Sequence, residues 1–135
     1  MRYKVTTTGF EKTLELLAKT IPNMVDVAVD EGLEAAGKVL LDGMLRRVPR
    51  DTGNLADNLG LTGPLRYGNA HVIYVGLNRD VDADTARYGT AQEYGAPAHN
   101  MAAQPFIRPA IHEDMPKARK ALNDALKRAL GSNDL

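Results

Sequence analysis

The 135 residues contain no cysteine and no tryptophan, only two phenylalanines, and a single serine, Ser132. Without cysteine there is no disulfide, no thiolate metal site and no thiol nucleophile, which suits a chain made in a reducing cytoplasm. One serine in the tail leaves nothing from which to build a serine triad. Long apolar runs are missing as well, and the opening "MRYKVTTTGF" lacks the apolar core of a signal peptide, so neither export by the ordinary secretory route nor a membrane partner is expected. No excess of one charge exists: 17 basic and 17 acidic side chains cancel. A neutral chain has no global field to draw it to nucleic acid, so no specific nucleic-acid partner is expected. His71, His99 and His112 share no metal-ligand spacing, and no glycine-rich phosphate loop occurs; no cofactor is expected.

What is present is ordinary globular material, 44% hydrophobic and 25% charged. The length suits one domain. Its core is expected over about 8–130, with mobile loops at about 78–85 and 95–104 and a flexible tail at 131–135. Arg2 to Thr6 alternates and is rich in tyrosine, valine and threonine, as in a short strand. "TGFE" offers a capping box between Thr8 and Glu11, and Phe10, Leu14, Leu17 and Ile21 continue at helical spacing, predicting a helix over about Gly9 to Lys19.

Pro22 interrupts this pattern or opens the next helix. From Asn23 to Arg47, Val25, Val29, Ala36, Val39, Leu40 and Met44 share one face, and Leu33, Leu41, Leu45 and Val48 widen it. A face that broad predicts two contacts, its own sheet and another subunit, or else burial inside its own small domain. Gly32 and Gly43 mark places where a sheet or a partner can approach. Val48-Pro49 ends the helix, and Asp51 or Thr52 is placed to cap a restart at "GNLADNL".

Gly68-Asn69 reads as a hairpin turn between an edge or bulged strand, Leu59 to Tyr67 with Gly63-Pro64 inside it, and the best strand of the chain, Ala70 to Leu77. "NRDVDADTARYG" reads as an acidic loop, "TARYGTAQEYG" as either strand or short helix, and "APAHNMAAQP" as an exposed loop. A last helix runs along Met115, Ala118, Ala121, Leu122, Ala125, Leu126, Ala129 and Leu130 to Gly131, with Asp114 as cap and Pro116 as its beginning or a kink.

Two constellations invite a chemical reading. Asp80, Asp82 and Asp84 have the alternating spacing of the first half of an EF-hand loop, but Thr85 stands where glycine is needed and Ala91 where glutamate is needed. They are weak metal candidates. Asp51-Thr52-Gly53 matches the aspartic-protease motif, whose chemistry needs two aspartates sharing a proton; only one copy exists here, so a hinge is expected. No catalytic residue is assigned. The alternatives are a nucleic-acid-binding module using Arg46, Arg47 and Arg50, and a metal-dependent hydrolase built on the three aspartates and a histidine.

Three ordered motifs carry a resemblance: Pro49, Asp51, Thr52, Gly53 and Leu55; then Glu93, Tyr94 and Gly95; then Pro105, Phe106, Arg108, Pro109 and Ala110. With the hairpin ending "VIYVGL" between them, the chain from about Leu33 to Leu130 resembles the tailed-bacteriophage neck and tail-component family, similar to the gene-10 product of lambda-like siphophages. The acidic stretch Asp80 to Asp84 and "GAPAHNMAA" depart from its pattern. The resemblance implies a small α+β protein, a long N-terminal and a C-terminal helix on an antiparallel sheet of three to four strands. It also implies a structural, non-enzymatic part of the virion at the head–tail junction or tail end, made in the bacterial cytoplasm. Its partners would be copies of itself in a ring and other neck or tail proteins. Phe106 is expected to anchor the last helix to the core. Arg108 is expected to pair with Glu93 or a neighbouring subunit's carboxylate, or to remain solvated.

Overall fold

The computed structural model describes residues 2–6 and 22–131. Strand β1 (Arg2–Thr6) is followed by the long helix α1 (Pro22–Arg47), a single turn α2 (Asn54–Asp57), the hairpin β2 (Leu59–Tyr67) and β3 (Ala70–Leu77), helix α3 (Ala83–Tyr94), a 3-10 turn at Pro97–His99, and α4 (Ile107–Ala129). This is an α+β fold with a three-stranded antiparallel sheet in the order β1-β3-β2. The expected capping box at Thr8 and Glu11 and the helix from Gly9 to Lys19 lie outside the described residues.

The central strand β3 is apolar and almost wholly buried, as a strand covered by neighbours on both edges should be. The register Leu61↔Val75 and Val5↔Ile73 sets side chains of all three strands on the face that meets α1. Strand β2 lies at the edge, where the ladder shifts register between Thr62 and Leu65; Pro64, which has no amide to donate, falls inside the shift.

Helix α1 uses its broad apolar surface in two directions, on the sheet and on α4. Val25, Val29 and Leu33 bury against Ile73, while Ala36, Leu40 and Met44 join Val75, Leu77, Phe106, Ala110 and Ala118. Gly32 and Gly43, expected to admit a sheet or a partner, admit α4 instead: a Cβ on Gly32 would sit 3.3 Å from the Leu122 carbonyl oxygen, and one on Gly43 would overlap the Asp114 carboxylate. Side chains on α4 from Ala118 back to Phe106 meet the later part of α1, and Leu122, Leu126 and Leu130 meet the earlier part, so the two helices are antiparallel.

Val48 and Pro49 end α1 as their sequence requires. The restart is capped by backbone more than by side chain. Gly53, in the left-handed region at φ 80°, is the N-cap of α2, and the Thr52 hydroxyl accepts only a long bond of 3.3 Å from the Asn54 amide. Asp51 is exposed on this bend.

Two sequence expectations need correction. The segment expected to be a loop over 78–85 already contains the cap and first turn of α3, because Asp82 accepts from the Thr85 amide at 2.9 Å. The last helix starts at Ile107, not near Asp114, and Pro116 lies inside it. Asp114 is no cap; its carboxylate faces Arg47 at 2.8 Å and Arg46 at 3.3 Å.

Candidate functional site

The start of α4 has no cap of its own. Its N-cap residue, Phe106, has no polar side chain, and a helix start leaves its first amides without partners. Glu93, in the last turn of α3, supplies what is missing. Its Oε2 accepts from the amides of Phe106 at 2.8 Å and Ile107 at 2.9 Å, and its Oε1 accepts from the Arg108 amide and the Arg108 Nε, both at 2.9 Å. Four donors fill the acceptor capacity of the carboxylate. The next residue, Pro109, has no amide to satisfy. A negative charge here also complements the positive end of the helix dipole.

Glu93 is only 1% exposed, so burial pushes its carboxyl toward the neutral acid. The amides of Ile107, Arg108 and Phe106, then the Arg108 side chain, outweigh that effect and hold the group below the usual carboxylate range. It is therefore a buried permanent anion, the opposite of what a general acid at neutral pH requires.

Three further features fix this clasp. The Arg108 guanidinium donates to the Glu93 carbonyl and lies over the Tyr94 ring at 4.6 Å. Gly95 turns the chain at φ 82°, where a Cβ would press on the Ala103 amide nitrogen at 3.1 Å. Gln104 then donates to the Gln92 carbonyl at 2.6 Å, returning the chain to α3. Phe106 is fully buried in the core, and Ala110 behind it leaves room for α1.

Two of the sequence motifs thus meet in space: Glu93, Tyr94 and Gly95 with Phe106, Arg108 and Pro109. Pro105 is exposed beside them. The first motif lies elsewhere. Leu55 is buried in the same core, while Pro49, Asp51, Thr52 and Gly53 form the bend before α2. Outside the clasp is a groove of about 300 Å³ lined by Arg2, Tyr3, Tyr94, Arg108, Ile111 and His112. Arg2 stacks on Tyr74 at 4.7 Å, so two guanidiniums, each on a tyrosine face, border it.

The residues considered for other chemistry are placed differently. Both Asp82 oxygens serve Thr85, one to its amide and one to its hydroxyl at 2.7 Å, which lowers the Asp82 pKa. Thr85 also accepts from the Asn54 amide group at 2.7 Å, tying α2 to α3. Asp84 pairs with Arg87 at the exposed surface. Among the described residues, no three His, Asp or Glu side chains are arranged to hold a metal ion. Arg46 and Arg47 are engaged by Asp42, Asp114 and Glu113.

One cluster escaped sequence reasoning. His71 is nearly buried, with Nδ1 2.7 Å from Asp30 and Nε2 3.1 Å from Asp26, and Arg66 closes the group on both carboxylates. The signal was available in the i,i+4 spacing of Asp26 and Asp30 beside the buried Val25 and Val29. Together these contacts pin the start of α1 to the hairpin.

Residues 9–95 match the family described as "Bacteriophage HK97-gp10, putative tail-component". The chain belongs to that family. Membership gives it a structural role in the phage tail and makes it a virion component. The match takes in the bend before α2, the hairpin, α3 and Glu93 but stops before Phe106, so the family match covers one half of the clasp. No curated protein and no solved structure matches the chain significantly. Among the described residues, no helix of this family member is long and apolar enough to cross a membrane.

Proposed function

We propose that this tail component is a neck or tail-completion subunit, joining tail to head by binding copies of itself and neighbouring virion proteins, with no catalytic step. The observation that carries this reading is the use made of Glu93. The most chemically distinctive side chain of the described fold has both oxygens committed to holding one helix start. Its surroundings present an outward groove of arginine and tyrosine. A rigid body with an aromatic, cationic rim is built for recognition; arginine and tyrosine are the residue types enriched where protein interfaces concentrate their binding energy.

Deleting the gene in its native phage or prophage and imaging the induced lysate by electron microscopy tests the reading. DNA-filled heads and separate tails are the expected outcome, with joined particles restored by the gene in trans. Normal infectious particles from the deletion would overturn it.

A further inference from the structure

Among the described residues the exposed large apolar side chains are Leu65 and Tyr67 on the edge strand β2 and two further pairs that lie toward opposite ends of α1. Tyr94 is 60% exposed and Tyr3 38%, and both line the groove with Arg2 and Arg108. Met24 and Val27, 44% and 54% exposed, lie three residues apart near the start of α1. Glu31 and Glu34 continue that exposed stripe along the helix at three- and four-residue steps. Asp26 and Asp30 beside Val27 are taken up by His71 and Arg66, and Lys38 pairs with Glu34 at 3.0 Å, so Glu31 is the carboxylate of the stripe that stands outside these pairs. Because α1 and α4 are antiparallel, the groove at the start of α4 lies toward the far end of α1. About twenty helical residues separate the two surfaces, roughly 30 Å.

We infer that the arginine–tyrosine groove of one copy receives the Met24–Val27–Glu31 stripe of the next. This rests on the structural role proposed above and supplies the contact through which copies would meet. The two surfaces are complementary in kind. One offers tyrosine faces bordered by cations, the other two flexible or branched apolar side chains followed by a carboxylate. Stacking on Tyr74 and Tyr94 holds the two guanidiniums in place, so little side-chain freedom remains to be lost on binding. Two different patches at opposite ends make a head-to-tail contact, which closes into a ring when the rotation between copies allows it.

Absence of cysteine makes the contact directly testable. Val27→Cys protein is mixed with His112→Cys protein, whose cysteine sits at the exposed wall of the groove and leaves both tyrosines intact, under mild oxidation. In a parallel mixture, Lys120→Cys, on an exposed part of α4, replaces His112→Cys. The crossed disulfide between positions 27 and 112 is expected to form at least about tenfold faster than the control, the effect of a preferential association near 1.4 kcal/mol. Adding Arg2→Glu to the His112→Cys protein should remove the difference, and adding Glu31→Arg to the Val27→Cys protein should restore it. Equal rates in the two mixtures, or a crossed rate indifferent to Arg2→Glu, would overturn the assignment. Mass spectrometry of purified virions separates this failure from the larger one. Protein present in particles with equal disulfide rates removes only this contact, whereas protein absent from particles removes the structural role itself.

Discussion

Glu93 holds Arg108 at three points: Oε1 accepts from the Arg108 amide and Nε, and the Glu93 carbonyl accepts from the end of the guanidinium. One residue of α3 thereby fixes the start of α4 and keeps a cation at the rim of the groove. In the contact proposed above, this element would serve stability and recognition together.

Glu93→Gln should be strongly destabilising. The amide places an N–H group among donors that need acceptors, and Arg108 loses its ionic partner. Leaving buried amide donors unpaired and removing the charge that faces the half-exposed Arg108 costs about 3 kcal/mol. Thermal denaturation should show a midpoint lower by roughly 10 °C. Arg108→Lys, by contrast, keeps the charge and the backbone amide but loses the fork over Tyr94; it should cost less than Glu93→Gln in the same measurement.

The same carboxylate sets a pH dependence. Its pKa is lower folded than unfolded, so the unfolded chain binds the extra proton first as pH falls. The stabilisation is fully present above the ordinary carboxylate pKa, near 4.3, and is lost as pH falls through the depressed folded value. Denaturation midpoints measured from pH 7 down to acid should fall less steeply in Glu93→Gln than in the unaltered protein. Parallel curves would contradict the assignment of Glu93 as a buried anion.

Gly43→Ala should displace the Asp114 carboxylate, which its methyl group would overlap, and disturb the pairing of that carboxylate with Arg47. Overpacking at such a contact costs about 1–3 kcal/mol. Gly68→Ala is a useful contrast: nothing lies within 4 Å of its added carbon, so any cost there comes from its positive φ alone. Urea denaturation of both variants checks the comparison.

Thr85→Val should cost about 1–2 kcal/mol, because the isosteric side chain can neither donate to Asp82 nor accept from Asn54. Amide hydrogen exchange should show the loss concentrated in α2 and the first turn of α3. Uniform loss across the fold would mean that the α2–α3 tie is not the affected element.

How far the sequence spoke for itself depended on whether the signal was local. Alternation and a turn pair were enough for β3 and the Gly68-Asn69 hairpin, and Val48-Pro49 was enough to end α1. Helix α3 was ambiguous because its buried residues are Thr85, Gly89, Gln92 and Glu93, so no apolar period marks its inner face. The start of α4 was misplaced for a related reason. Its cap is contributed by Glu93, thirteen residues before Phe106, and Pro116 read as the beginning or a kink although the helix runs through it. The stripe on α1 predicted its own sheet and another subunit, or else burial inside its own domain; in the packed structure it meets the sheet and α4. Pairing of Glu93 with Arg108 was among the expectations, but its three backbone amides were not, since nothing in a linear motif says which distant amides lack partners.

The proposed role requires this chain to be a building block of the virion. Quantitative mass spectrometry of purified, nuclease-treated phage particles tests that most directly. Several copies of the chain are expected in every particle, in a fixed ratio to the other tail proteins. Particles that are complete and infectious yet contain none of it would contradict the role.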